Sequence, residues 1–493
     1  MKKLNINLIP DRPNTTPDYY CTWQTQLYAT SDGKPPAQRA AIGERALFGE
    51  EYPYGWAYFY PDARADLHLI MDDSWDVPLD GDEGYYGSLI LNPEKFPSAT
   101  AGGADNVTAL SRLVSRIRAL GWRGLGGWVC AQESAHAPDC ESRENYWRTR
   151  MREAERSGFS YWKVDWGRWG ADADFRRMLT ALARSEAPSL TVEQAICPET
   201  VPAADVFRTY DVPAIMSVPM TVNKLAELLA NARPADQDCA GLLNCEDEVY
   251  TAAAGGFVMG VMRHPLHGAL PDGRADMSFP AVHRDLKSKM QEVVRAVRFH
   301  RIAPAFDAGA CEVFIDTEAL TDTWRLECPE EEIEAWWFKH PAFANITEKT
   351  LRITAPARIA RGCVAPRVTP DADGRVPYVI ASRNPNGVFA IATLGRTEGR
   401  RYAIPHCAVE FAVADADTVG VFGEYASLTL KTDRRPARIL MQDLADSAAY
   451  DVTDSVTFAE GEICIPGELI SHIGRVSQPA SDTSEPGALV RLE

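Results

Sequence analysis

The stretch "GFSYWKVDWGRWG", residues 158–170, decides how this chain is read. It opens with apolar and aromatic residues, as a half-buried strand does, and it breaks at Gly167. Between these it sets Lys163 and Asp165 either side of Val164. Strand alternation turns both side chains to one face. Such a charged pair among Trp162, Trp166 and Trp169 has two readings. It is either a core strand closed by a surface ion pair, or a catalytic carboxylate in a sugar pocket. The rest of the chain bears on the choice.

Upstream and downstream of this strand, short apolar runs alternate with amphipathic helical ones. The strand-like runs are 19–23, 67–71, 124–129, 161–165, 190–194, 206–210, 240–244 and 257–262. Helical periodicity falls at 106–121, 145–158, 172–185, 221–233 and 285–300. In the first of these, Val107, Leu110, Leu113, Val114, Ile117 and Leu120 make one apolar face. Eight strand–helix units in series predict an α/β fold, a (β/α)8 TIM barrel over 19–305. From about 346 to 478 helical periodicity gives way to short β-rich runs separated by turn residues, as in "YVIASR", "GVFAIATL" and "ARILMQDL". This predicts a C-terminal antiparallel β-sandwich domain. Residues 1–18 read as an N-terminal extension, 306–345 as a connector, and 479–493 as a flexible tail.

The 493 residues are 45% hydrophobic and 24% charged, with a formal net charge of −18. That balance speaks against a nucleic-acid or anionic membrane partner. The N-terminus lacks the apolar core of a signal peptide, and no run of 18 apolar residues occurs, so a cytoplasmic location is expected. The eleven scattered cysteines include no CxxC pair and read as free thiols. No cofactor or metal is expected. A homo-oligomer is compatible with this composition.

Acidic residues track the strand ends: Asp72-Asp73, Glu133, Asp165, Glu193, Asp211, and Glu246-Asp247. In a (β/α)8 barrel these ends share one mouth, where active sites are built. Crowded carboxylates repel one another and lose solvation, so a site that gathers them uses them for chemistry or to hold hydroxyl groups. Trp23, Trp75, Trp128, Trp162, Trp166 and Trp169 lie beside the same ends. A polyol ligand accounts for acids and aromatics together, whereas a divalent cation accounts only for the acids. Each residue also has a structural alternative. Asp165 could simply pair with Lys163, Asp72-Asp73 could cap a helix, Asp211 could be a turn residue before Pro213, and Glu193 could be internal. Arg263, His264 and His267 at the eighth strand read as core or loop residues before ligand contacts. Asp172 reads as the N-cap of the next helix.

In order along the chain, "IMDDSW", "LNPEKFPS", "LVSRIRALGWRGLGGWV" and "GFSYWKVDWG" resemble the retaining α-galactosidase (melibiase)/α-N-acetylgalactosaminidase clan of glycoside hydrolases. "FRTYDV" (207–212) is similar to the clan's Arg-Thr-x-x-Asp segment, one residue shorter. The resemblance implies Asp165 as nucleophile and Asp211 as general acid/base, with Asp205 as the reserve candidate. It implies Lys163 as a hydroxyl ligand that helps keep Asp165 ionised, Asp72 and Asp73 as grips for two sugar hydroxyls, and Trp23 and Trp128 as walls. Arg208 and Glu193 would be further binding residues. The implied activity is exo-acting hydrolysis of terminal α-linked galactose on small oligosaccharides. The alternatives are another sugar within the clan (an α-N-acetylgalactosaminide or a β-L-arabinopyranoside) or a non-catalytic carbohydrate-binding protein. "WVCAQESAH" and "LNCEDEV" depart from the clan's usual loops around the sugar.

Overall fold

The computed structural model describes residues 1–29, 35–136, 141–209, 216–262, 289–325, 345–347, 350–399 and 401–493. Eight parallel strands close into a barrel: β1 (Tyr19–Cys21), β2 (His68–Met71), β3 (Gly124–Val129), β4 (Tyr161–Val164), β5 (Thr191–Gln194), β6 (Val206–Arg208), β7 (Leu242–Glu246) and β8 (Val258–Val261). Closure is made by β1 against β8, with Tyr19 opposite Gly260. Every strand expected from the apolar runs is present, and the (β/α)8 expectation holds.

The helices follow from local signals. In α2 (Asn106–Ala119), Leu110, Leu113, Val114 and Ile117 are buried as one face, and Asp105 caps the first turn through the Thr108 N–H at 2.7 Å. Helix α3 (Ala173–Glu186) starts at Asp172, whose carboxylate accepts from the N–H groups of Asp174 and Phe175, both at 3.0 Å. Helix α1 (Trp23–Ala29) follows β1 directly, where the sequence was read as strand through Trp23. Past Cys21 the Thr22 N–H still donates to Ile70 O at 3.0 Å and its hydroxyl accepts from the Asp72 N–H at 2.9 Å, after which the chain turns into the helix. In β3 the missing side chain of Gly126 is required. A Cβ there would lie 2.5 Å from Tyr161 and 2.6 Å from Ile70, both of which point into the barrel.

The C-terminal module packs two sheets. One has nine strands, ordered Lys2–Lys3, Tyr450–Asp451, Ile439–Asp443, Gly487–Leu492, Thr418–Phe422, Phe389–Leu394, Tyr378–Arg383, Arg358–Arg361 and Val313–Ile315. The other has five, from Arg367–Thr369 through Ala408–Ala414, Ser427–Thr432 and Glu462–Pro466 to Thr457–Ala459. Val379, Ile391, Phe411, Val421, Leu428 and Ile465 fill the space between them. The sandwich is predominantly antiparallel, with three parallel pairs.

Three boundary expectations are corrected. The N-terminal residues Lys2 and Lys3 pair with Asp451 and Tyr450, so the chain start joins the C-terminal module. The expected tail contains Gly487–Leu492, an inner strand paired on both sides and buried at five of its six positions. Its polar approach "SDTSEP" disguised it as a mobile end. The connector divides at Val313, from which point it contributes the paired strands Val313–Ile315 and Ala319–Arg325. Helix α4 (Met290–His300) locks barrel to module through the fully buried Arg295, whose Nε donates to Asp443 at 2.9 Å.

Candidate active site

Lys163 points into the barrel beside Trp128 on β3 and Glu193 on β5, its register partners on either side. The barrel interior at this level is polar. Lys163 Nζ donates to Asp72 Oδ2 at 3.0 Å, and the Cys21 thiol donates to the same oxygen at 2.8 Å. Burial works against the ammonium charge. The Asp72 carboxylate outweighs it and holds Lys163 well above the ordinary lysine range. Lys163 therefore binds Asp72, 91 residues away, rather than Asp165 directly.

Asp165 follows β4 at the carboxyl end of the barrel. Its backbone is set by Val129 and Arg176: the Asp165 N–H donates to Val129 O at 2.9 Å, and Arg176 Nη2 donates to Asp165 O at 2.9 Å. Its carboxylate has two charge-sensitive partners. Arg208 Nη2 stands 2.5 Å from Oδ1, and the Trp128 indole N–H donates to Oδ2 at 2.8 Å. Burial pushes the carboxyl up, but Arg208, Lys163 and the indole outweigh it and keep Asp165 below the usual carboxylate range. The expected contribution of Lys163 is thus second to that of Arg208, a cation two strands away.

Arg208 is fully buried at the end of β6, with Glu193 Oε1 at 3.7 Å and Glu246 Oε1 at 3.8 Å. One guanidinium faces three carboxyl groups. Its planar, permanently charged fork suits that position better than a lysine would. Glu193 is itself fully buried and accepts from Tyr161 OH at 2.8 Å, Asn244 Nδ2 at 2.7 Å and Tyr19 OH at 3.2 Å. It stands in the barrel interior as a ligand of two tyrosines, Asn244 and Arg208. Because the residue points inward at the Lys163 level, its oxygens are already occupied.

The second acidic corner lies after β2. Asp72 is buried against Lys163, and its neighbour Asp73 turns to the Ser74 hydroxyl at 2.6 Å. Ser74 has a left-handed backbone, φ 71°, held by the Lys95 ammonium, which donates to Ser74 O at 2.7 Å. Its hydroxyl also lies 3.1 Å from the Tyr86 OH. Burial pushes the Asp73 carboxyl up to about 6, with Ser74 opposing and the nearby Asp72 adding to the rise. Burial pushes Lys95 down to about 8.

The tryptophans divide by role. Trp128 is 2% exposed and packs between Tyr86 and Trp166, with ring centroids at 5.5 and 5.4 Å. It acts as a brace, its N–H orienting Asp165 at 2.8 Å. Trp75 in turn donates to Trp128 O at 2.8 Å, and Trp162 is core. Trp23 is partly buried over the cluster of Tyr19, Cys21, Ile70, Tyr161 and Met262 that floors the site. Trp166 stays exposed.

Asp211, Arg263, His264 and His267 lie outside the described residues. Asp205, the reserve acid/base, precedes β6 and so sits at the barrel's amino end, opposite the mouth. There Arg184 pairs with it at 2.7 Å, and it accepts the Val192 N–H at 2.8 Å. This removes it as a catalytic candidate. Sequence reading missed Cys21, Tyr19, Tyr161, Asn244 and Arg176. Their only signal was inward strand parity or, for Arg176, an arginine on the buried face of a helix. Among the described residues no helix is long and apolar enough to cross a membrane.

No protein-family model and no curated protein matches the chain. Several solved structures do. A GH27 β-L-arabinopyranosidase from Geobacillus stearothermophilus, solved with arabinose, is 11% identical over 62% of this chain and 81% of its own, with TM-score 0.39. A Bacillus halodurans protein carrying a provisional α-N-acetylgalactosaminidase assignment is 8% identical over 99% of both chains, TM-score 0.43. A GH36 α-galactosidase from Geobacillus stearothermophilus is 11% identical over 62% of this chain and 44% of its own, TM-score 0.35. At these values the likeness is one of architecture and assigns no residue.

Proposed function

We propose that the chain is a retaining, exo-acting glycoside hydrolase, α-galactosidase-like, acting on terminal α-linked galactose of small oligosaccharides. The observation that carries the reading is Asp165. It is a buried carboxylate at the carboxyl end of β4, held charged by Arg208 at 2.5 Å and aimed by the Trp128 N–H at 2.8 Å. A nucleophilic carboxylate needs this combination of low basicity and fixed orientation. Asp72 and Asp73 at the neighbouring corner offer oxygens to ring hydroxyls, with Lys163 beside them as a donor.

In this reading an Asp165 oxygen attacks the anomeric carbon while the glycosidic C–O bond breaks. The Asp211 carboxyl gives its proton to the departing oxygen. A water then gives a proton to Asp211 and attacks the glycosyl ester, freeing Asp165 and releasing the sugar with its configuration retained. Retention calls for carboxyl groups about 5–5.5 Å apart. The test is a panel of nitrophenyl α- and β-glycosides, covering galactosides, N-acetylgalactosaminides and arabinopyranosides. Asp165→Asn is expected to remain folded and lose turnover. Hydrolysis of the preferred glycoside by that variant at the parent rate would overturn the assignment.

A further inference from the structure

The stretch "LNPEKFPS", residues 91–98, contains a charge that the proposed chemistry does not use. Lys95 is 5% exposed, and among the described residues its ammonium pairs with no carboxylate. It donates instead to two backbone carbonyls, Ser74 O at 2.7 Å and Arg39 O at 2.5 Å. Lysines are seldom this deep, because an ammonium taken out of water needs partners for its donors.

The Ser74 carbonyl belongs to a strained turn. Ser74 is fully buried and left-handed, φ 71°, a conformation that residues other than glycine seldom adopt. Glycine would carry the same backbone without the hydroxyl. That hydroxyl donates to Asp73 Oδ1 at 2.6 Å and lies 3.1 Å from Tyr86 OH. Strained backbone persists where its surroundings over-determine it, and here they form a closed ring. Lys95 holds the Ser74 carbonyl, the Ser74 hydroxyl meets Tyr86, Arg39 Nε donates to Tyr86 OH at 3.0 Å, and the Arg39 carbonyl returns to Lys95. Lys95 is itself fixed from outside the ring. The Glu44 N–H donates to Lys95 O at 2.8 Å, and a Cβ on Gly43 would stand 2.8 Å from that same oxygen. Gln26 Nε2 donates to Asp73 O at 3.0 Å, so the backbone and the carboxylate of Asp73 are both held.

The charged groups that face Lys95 are Asp76, Asp73 and Arg39. Burial outweighs the two carboxylates and pushes Lys95 down to about 8. Burial also pushes Asp73 and Asp76 up to about 6, and Tyr86 above the ordinary phenol range. Burial opposes the Arg39 charge, but Tyr86 and the nearby carboxylates hold it above the ordinary arginine range. Of these groups, Lys95 is the one that changes charge between about pH 7 and about pH 9.5.

We propose that Lys95 is a positioning residue: by clamping the Ser74 carbonyl it fixes the strained turn that aims the Asp73 carboxylate at a sugar hydroxyl. The inference rests on the hydrolase reading, which gives Asp73 to sugar binding, and adds to it a residue that touches no sugar.

The experiment is a double-mutant cycle of Lys95→Met and Asp73→Asn, read as kcat/KM on the nitrophenyl glycoside that the parent prefers. Lys95→Met should lower kcat/KM by about tenfold, mainly through a higher KM, which is the contribution of one hydrogen bond. In the Asp73→Asn background it should lower it by less than about twofold, because the clamp acts through Asp73. Calorimetry with galactose, N-acetylgalactosamine and L-arabinose supplies a readout that needs no turnover. Parent affinity for the bound sugar should fall about threefold from about pH 7 to about pH 9.5, since a neutral amine donates more weakly than an ammonium, and Lys95→Met should flatten that fall. Additive losses in the cycle, or an unchanged kcat/KM in Lys95→Met, would overturn the clamp and leave the hydrolase reading standing. A parent that binds a sugar but cleaves no glycoside would sink the hydrolase reading, and the calorimetric pH profile then decides the clamp. A parent that binds none of the three sugars overturns the clamp as well. Should Lys95→Met not fold, the parent profile decides alone: a flat one overturns the clamp.

Discussion

Replacing Arg208 by methionine tests the electrostatic core of the site. Methionine keeps an unbranched, adaptable side chain and removes the charge. The guanidinium stands 2.5 Å from Asp165, 3.7 Å from Glu193 and 3.8 Å from Glu246. At an effective dielectric constant of about 20, a pair of unit charges near 4 Å is worth about 4 kcal/mol before desolvation is subtracted. Desolvation of a buried cation offsets much of that gain, so the net loss expected on breaking the cluster is about 3–5 kcal/mol at pH 7. The pH dependence separates charge from packing. In the parent, Asp165 has a lowered folded pKa, so it contributes stability above its unfolded pKa and loses that contribution as pH falls through the folded value. In the variant the largest attraction is gone, burial prevails and the folded pKa rises. The sign then reverses, and stability is regained as pH falls. Urea unfolding of both proteins, followed by tryptophan fluorescence from pH 7 to pH 4, should show the difference shrinking by roughly half. A difference that stays constant across this range would refute the charge argument and leave Arg208 a packing residue.

Three further outcomes are expected. Trp128→Phe removes the 2.8 Å indole bond to Asp165 and should move the acid limb of kcat/KM upward by about 1 pH unit, since a hydrogen bond to a charged group is worth about 1.5–3 kcal/mol; an unmoved limb would show that the bond is not made in solution. Burial pushes the Asp73 carboxyl up to about 6, so it is charged above that pH and protonated below it, and in the hydrolase reading the charged form is the one that grips sugar hydroxyls. KM should therefore rise as pH falls through about 6 while Asp73→Asn flattens this dependence, and an identical KM profile in the variant would exclude Asp73 from binding. Folding stability should show the opposite trend, because a carboxyl with a raised folded pKa contributes stability at low pH and loses it between its unfolded value and about 6; urea midpoints of the parent and Asp73→Asn across that window measure it.

What the sequence determined alone is whatever is periodic or capped. The eight barrel strands were legible because each apolar run of strand length meets a turn signal, and α2 and α3 because apolar spacing and an N-cap aspartate mark their starts. The place of Asp165 followed too, since a strand end in a (β/α)8 barrel faces the mouth. The partners of that residue did not follow. Lys163 lies two residues from Asp165 but pairs with Asp72, and Asp165 pairs with Arg208 and Trp128. Those choices depend on how eight strands are staggered around a closed barrel, which sets which inward side chains meet across it. The same holds for Gly487–Leu492, a short run with a polar approach. Its identity as an inner strand comes from the two strands that flank it, far back in the chain. Local pattern specifies elements, while pairings between charges and between strands are decided by closure and register, which are properties of the whole fold.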